Sequence, residues 1–212
     1  MALIIGLCGK MGSGKDYIAG KYIIPFLQNN SVYCMQWSFA DQIKVNVMAK
    51  RDIAFEDVYV NKTKATRTLL QQEGTENGRD VVGKDIWINY FDAWRQVLTS
   101  RGIEALITSD VRFSNEADYV KSQGGVLIKI VAPGRNEQRL QNETGGDVGD
   151  YQRIKAHASE CDLDLYCDDD FDLVIVNDFN QTIDEKQLYN VLQKSIQDHK
   201  CNVKTHDIKQ KE

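Results

Sequence analysis

Residues 2–24 admit very few folds. An apolar run, Ala2-Leu3-Ile4-Ile5-Gly6-Leu7-Cys8, leads into Gly9-Lys10-Met11-Gly12-Ser13-Gly14-Lys15-Asp16, and a helix-compatible segment from Asp16 to Ile24 follows. Strand, glycine-rich turn and helix in that order predict a backbone whose successive N–H groups point into one concavity, with the partial positive charge of the helix start behind them. Such a concavity suits phosphate, and Lys15 adds a mobile positive charge for the outer phosphates of a nucleotide. The run fits G-x-x-x-x-G-K-[ST] except at its last position, where Asp16 replaces the hydroxyl that ordinarily meets a metal ion. A carboxylate there still suits Mg²⁺, which takes oxygen ligands and keeps several waters. It also suits the first turn of a helix. The plainer alternative is a glycine-rich turn that binds nothing; the strand before it, the helix after it and the Gly14-Lys15 pair in register weigh against that.

A chain of 212 residues fits one α/β domain with a lid or small insertion and can bury a sizeable core. A net charge of −5 and a pI near 5.3 argue against a broad nucleic-acid-binding surface. No apolar run approaches membrane-spanning length, and the first residues read as a buried strand and not as a leader, so a cytoplasmic protein is expected. The five cysteines have no paired C-x-x-C spacing, which points to free thiols, with Cys8 and Cys34 as small core residues. The histidines His157, His199 and His206 are scattered.

Further along, Val32 to Ala40 reads as a second strand and Asp41 to Ala49 as a helix capped by Asp41. Ligands of open α/β sheets bind beyond the carboxyl ends of strands, which brings Phe39, Ala40 and Lys44 toward whatever the loop presents. A lone helix lysine is more often simply solvated. Residues 55–66 read as a connection. In Thr66-Arg67-Thr68-Leu69-Leu70-Gln71-Gln72-Glu73-Gly74-Thr75-Glu76, Arg67 and Gln71 share a helix face, and Gly74 and Thr75 stand at its end. That face suits a phosphate on Arg67 and a base edge on Gln71, although on the residues alone an exposed amphipathic helix is the readier explanation.

Asp85 caps a third helix on which Trp87 either stacks a base or fills the core. Asp110 closes the strand Glu104 to Val111, where phosphoryl-transfer enzymes keep a carboxylate for Mg²⁺, and Arg112 falls at the same rim. After a strand at 125–132, Pro133-Gly134 makes a break. Arg135 and Arg139 then follow at i, i+4 spacing before a glycine-rich patch at 145–149. Paired arginines on a flexible segment suit a lid over transferring phosphates; a surface helix whose arginines pair with Glu137 or Glu143 is the alternative. A last strand spans 171–178. Thr182 to Glu185 looks like a capping box that opens a helix to about Gln197.

Taken together, Gly9-x-x-x-x-Gly14-Lys15-Asp16, Phe39-Ala40, Arg67-x-Leu69-Leu70-Gln71-x-x-Gly74-Thr75-Glu76-x-x-Arg79, Asp85-x-Trp87, Asp110-Val111-Arg112-Phe113-x-Asn115-Glu116-Ala117 and His157-x-Ser159-Glu160 resemble, in order, the bacteriophage-type deoxynucleoside monophosphate kinases. The Asp after Lys15 is what that family carries, whereas Tyr17 departs from its pattern. The resemblance implies a P-loop nucleoside-monophosphate-kinase-like, three-layer α/β/α fold with a parallel central sheet and a small helical lid. It implies one domain over 1–200, with a substrate region at about 41–100 and a lid at about 134–160; the polar, Lys-rich composition of the C-terminal residues reads as a tail, 201–212, that frays. The resemblance further implies ATP with Mg²⁺, deoxynucleoside monophosphates as acceptors, often a homodimer, and, for a phage protein, the host cytoplasm.

On that resemblance Lys10, Gly12, Ser13, Gly14, Lys15 and Asp16 take the ATP phosphates. Asp16, with Asp110, orients Mg²⁺. Phe39, Ala40, Lys44, Arg67, Gln71, Gly74, Thr75, Trp87 and Arg112 surround the acceptor. Arg135 and Arg139 join Lys15 and Asp16 in catalysis. The rival readings are a related kinase of another phosphorylated acceptor, such as phosphomevalonate or dephospho-coenzyme A, and a nucleotide-sensing module without turnover.

Overall fold

All six residues of Leu3–Cys8, the first strand (β1), are buried. Successive strand side chains point to opposite faces. Leu3, Ile5 and Leu7 enter one apolar cluster, and Ile4 and Cys8 enter the other. A strand covered on both faces has to be apolar throughout, which accounts for the continuous run in the sequence. The computed structural model describes residues 1–209; residues 210–212, the end of the expected tail, lie outside them.

Four more strands join β1: β2 (Cys34–Gln36), β3 (Ala105–Val111), β4 (Val126–Val131) and β5 (Leu173–Val176). They form an all-parallel sheet in the order β2-β3-β1-β4-β5. The helices are α1 (Lys15–Ile18), which runs through one wide π turn at Ala19–Ile23 into α2 (Ile24–Asn29), then α3 (Phe39–Arg51), α4 (Phe55–Tyr59) and α5 (Lys64–Gly74). A second π turn at Thr75–Arg79 precedes α6 (Ile86–Ser100). There follow α7 (Ser114–Ser122), α8 (Pro133–Thr144), α9 (Val148–Lys155), α10 (Ala158–Cys161) and α11 (Glu185–Lys209). Ile18, Ile23 and Leu27 meet Leu188, Leu192 and Ile196 of α11 on one face of the sheet. Phe39, Ile88, Phe91, Ala117 and Val120 cover the other. The result is the expected three-layer α/β/α arrangement. No helix among the described residues is long and apolar enough to cross a membrane.

Several element boundaries differ from the sequence reading. The strand expected to reach Ala40 ends at Gln36, because Ser38 starts a helix: its backbone N–H donates to Asp41 Oδ2 at 2.8 Å in a capping box. Asp41 is therefore the third residue of α3 and not its cap, and Phe39 and Ala40 lie in the first helical turn. The expected connection at 55–66 contains α4 and the start of α5, where Thr63 Oγ1 accepts from the Thr66 N–H. Asp85 precedes α6, but its carboxylate accepts from Asn115 and not from the helix. At the last helix Asp184, not Thr182, accepts from the Gln187 N–H, and the helix continues past Gln197 to Lys209.

The second π turn packs against α6 with no spare room. The Trp87 indole N–H donates to Gly74 O at 2.8 Å, and a Cβ on Gly78 would fall 2.3 Å from Trp87 Cζ2 and 2.9 Å from Glu73 O. Gly78→Ala is therefore an overpacking change and should lower the unfolding free energy by about 2 kcal/mol in a urea titration. An unchanged midpoint would mean that the indole has room to shift.

Candidate active site

In the strand order, the chain leaves β1 toward β2 and β3 and later returns past it to β4 and β5. The crevice beyond the carboxyl end of β1 is thus the switch point of the sheet, the usual place for a ligand in such folds. Residues 9–14 fill it. Gly12 and Gly14 have φ of 80° and 86°, in the left-handed region that favours glycine. Neither has space for a side chain: a Cβ on Gly12 would lie 2.6 Å from Arg139 Cβ, and one on Gly14 would lie 2.3 Å from Asn177 Nδ2. Two asparagine amides hold the loop by its carbonyls. Asn177 donates to Ser13 O at 2.8 Å, and Asn136 donates to Met11 O at 2.7 Å. Ser13 Oγ is buried without a hydrogen-bond partner among the described residues. The Lys15 ammonium donates to Gly9 O and Lys10 O at 2.6 and 3.1 Å. Burial, and then the charge of Arg112, lower its pKa to about 8.

Asp16 Oδ1 accepts from Gln36 Nε2 at 2.9 Å and from the Ser109 hydroxyl. Asp110, expected beside it as a second acid for a metal, faces elsewhere. Its carboxylate accepts from the Phe39 N–H at 3.1 Å, the Ala40 N–H at 2.9 Å and the Thr108 hydroxyl at 2.7 Å. The cause is strand alternation: neighbouring residues of β3 project to opposite sides, so Ser109 meets Asp16 and Asp110 cannot. A carboxylate with an adjoining hydroxyl supplies oxygen ligands of the kind that a hard ion takes while keeping most of its waters.

Of the expected cations, Lys44, Arg67, Arg112 and Arg139 are each paired with an acid. Lys44 pairs with Asp41 at 2.7 Å and lies 4.4 Å above the Tyr59 ring. Arg112 pairs with Glu160 at 2.8 Å, and Glu160 also accepts from the Met11 N–H of the loop at 2.8 Å. Glu143 Oε1 is 2.8 Å from Arg67 Nε, while its other oxygen is 2.9 Å from Arg139. The first of these contacts lies off the N–H direction, so the buried Arg67 Nε has no aligned acceptor. The Arg139–Glu143 pair of the surface-helix alternative is thus present, but it sits against the loop at Gly12. Arg135 stacks on Phe179, 4.9 Å from the ring centre, while Asp178 accepts from the N–H groups of Gly134 and Arg135.

The base-side residues are placed less uniformly. Gln71 is exposed, Thr75 half-buried and Gly74 buried. Trp87 is 2 % exposed, so of its two readings the structure realises the core one. Phe39 is likewise a core residue, its ring 4.4 Å from that of Phe91; only its backbone is at the site. Gln36, Ser109, Asn136 and Asn177 escaped the sequence reading because no motif marks them. The alternation of β3 was the one available signal, and it pointed to Ser109.

A buried ion pair fixes the rim that carries Arg112. Glu116, 3 % exposed, accepts from the Arg112 and Phe113 N–H groups at 2.8 and 3.1 Å and from the Arg79 guanidinium. Arg79 in turn lies 3.8 Å over the Phe113 ring. Burial pushes the Glu116 carboxyl up from 4.5 to about 7, and Arg79 opposes the shift. A raised acid pKa in the folded state means that ionising Glu116 costs stability; the cost is absent below about 4.5 and complete above about 7. Arg79→Met leaves that carboxylate without its counter-charge. It should cost roughly 3 kcal/mol at pH 8 and clearly less at pH 5.5, where Glu116 takes up a proton. Chemical denaturation at the two pH values checks this, and an equal loss at both would remove Glu116 as the cause.

No family model matches the chain. Among curated proteins, one from Acanthamoeba polyphaga mimivirus named "Putative deoxynucleotide monophosphate kinase" is 32 % identical over 202 residues, which cover 86 % of this chain and 91 % of that protein.

Proposed function

The chain belongs to the deoxynucleotide monophosphate kinase family, and from that premise we propose that it transfers the γ-phosphoryl group of ATP to a deoxynucleoside 5′-monophosphate, releasing ADP and the deoxynucleoside diphosphate. The observation that carries this reading is the pairing of two anion sites. A glycine loop lies at the sheet switch point, and Arg67 and Arg112 are tied to it through acids that a phosphate can replace: Glu143, which also holds Arg139 over Gly12, and Glu160, which also accepts from the Met11 N–H. A module that only senses ATP has no use for the second site.

The reaction needs no covalent nucleophile. An oxygen of the acceptor phosphate forms a bond to the γ-phosphorus as the bond from that phosphorus to the β-bridging oxygen breaks, and ADP leaves. Catalysis is then positioning and charge neutralisation. The amides of residues 10–15 cradle the donor phosphates. Lys15 turns from the carbonyls of Gly9 and Lys10 toward the β- and γ-oxygens. Asp16 and Ser109 would hold Mg²⁺, which when bound supplies charge neutralisation at those oxygens. Asp110 is better placed to hold the start of α3 than to serve the ion.

Arg67, Arg112 and Lys44 bind the acceptor phosphate. The exposed Gln71 and the half-buried Thr75 offer polar groups to base and sugar, and Trp87 braces the end of α5 between them. Arg139, over Gly12, and Arg135 close on the group in flight.

ADP formation from ATP measured with dAMP, dGMP, dCMP and dTMP in turn tests the assignment, with phosphomevalonate and dephospho-coenzyme A as controls. Production of ADP that depends on a deoxynucleoside monophosphate is the expected result; dependence on a control acceptor would overturn it. In the same assay Lys15→Ala should lose roughly 10²–10³-fold in turnover, with its circular dichroism unchanged. Near-normal turnover in that variant would take the loop out of the mechanism.

A further inference from the structure

The sequence block His157-x-Ser159-Glu160 carries none of the groups assigned to ATP, Mg²⁺ or the acceptor. Glu160 lies in α10, and its carboxylate touches both the glycine loop and the rim beyond β3. One oxygen accepts from the Met11 N–H at 2.8 Å and the other from the Arg112 guanidinium at 2.8 Å. The side chain is 8 % exposed, so water and salt do little to weaken either contact. The residues after it are anchored separately. Asp162 accepts from the Ser114 N–H at 2.6 Å, and Asp164 meets the Lys10 ammonium at 2.7 Å. Fastening of this segment between loop and rim is served by those two acids, and it does not account for a third with both oxygens committed.

The two partners of Glu160 belong to different ligands. The Met11 N–H is among the amides that cradle the donor phosphates, and Arg112 binds the phosphate of the acceptor. One carboxylate thus holds a position in each site. It cannot stay beside an arriving phosphate, because like charges at hydrogen-bond distance repel strongly where water is scarce. A donor phosphate at the Met11 N–H drives the carboxylate out, and the ion pair to Arg112 breaks in the same movement. An acceptor phosphate on Arg112 likewise frees the loop amide. Whichever ligand arrives first bears the cost of displacing Glu160, and the second meets a group already released. A coupling of this kind is reciprocal: each ligand raises the affinity of the other by the same factor.

We propose that Glu160 couples the donor and acceptor sites, holding one hydrogen-bond position in each so that its displacement by either phosphate opens the other. This rests on the kinase reading above. The contact is to phosphate on both sides, so the coupling is blind to the base.

The test is Glu160→Gln beside Glu160→Ala in the full chain. The imido analogue of ATP, which does not transfer its γ-phosphoryl group, is titrated with Mg²⁺ in a calorimeter, alone and against saturating dAMP, dGMP, dCMP or dTMP. In the wild type an accepted monophosphate should tighten the analogue about tenfold, and the analogue should tighten the monophosphate by the same factor. Both variants should bind either ligand alone about tenfold more tightly, and their coupling factor should fall below about twofold. A residue that only fastened its segment would give the opposite sign, with weaker binding of each ligand alone. A wild type without coupling overturns the proposal, and so does a variant that keeps the wild-type factor; turnover with any of the four monophosphates then leaves the kinase reading intact. A wild type that neither binds nor phosphorylates any of the four, while Glu160→Gln still tightens the analogue, refutes the kinase reading and the coupling together and leaves Glu160 only a competitor at the loop.

Discussion

The crevice exists because the backbone passes where no side chain fits. At Gly12 the neighbour is Arg139 Cβ of α8, and at Gly14 it is the amide of Asn177 just past β5. Both residues also adopt a conformation that other residues take only under strain. The loop is therefore closed from two sides by segments far along the chain, and Asn136 and Asn177 hold two of its carbonyls. A peptide plane whose carbonyl is tied in this way has little freedom to turn. The amides keep a fixed outlook before any ligand arrives, which is the physical content of preorganisation at an anion site.

Around that loop the electrostatics are those of a site kept neutral by its own acids. Glu160 bonds to a loop amide and to Arg112 at once, and Glu143 bridges Arg67 and Arg139. In both cases one carboxylate spans groups that, on the proposed function, serve a phosphate. The acids are well shielded, at 8 % and 17 % side-chain exposure, so these are not loosely screened surface pairs. Part of the affinity for a phosphate must go into displacing them. Arg112 is held a second way, through the Glu116–Arg79 pair beneath its backbone.

The layers, the parallel sheet and the loop were legible because each has a local signature: continuous apolar runs for strands covered on both faces, and glycines in register with Lys15. The boundaries that moved did so where two local preferences competed. Aromatic and β-branched residues at 32–40 favour a strand, but Ser38 with Asp41 three residues on makes a helix start, and the cap prevailed. The site was legible in its charges and not in their partners. Arg67, Arg112 and Arg139 stood out as cations, yet what each would touch depends on how α8 and the segment around Glu160 fold back, which no spacing reports. Trp87 shows the converse. An aromatic near a substrate motif suggests stacking, whereas its 2 % exposure and its bond to Gly74 O make it a brace.

The end of β3 shows how closely the two halves of the site are joined. Ser109 and Asp110 are consecutive, so they point to opposite sides of one strand. Ser109 reaches Asp16 in the first turn after the loop, on the side assigned to the donor. Asp110 accepts from the first two amides of α3, which have no partner within their own helix and carry its partial positive charge. Helix α3 carries Lys44 and is tied to α5, the helix of Arg67, through Glu73, which accepts from both Asn46 and Lys50. A displacement of this strand end would therefore move the Asp16 carboxylate and the helices of Lys44 and Arg67 together. For a reaction in which two anions must meet in line, that shared anchor matters more than a second metal-facing acid would. It is the physical reason that a carboxylate is useful at position 110, where it holds the start of α3.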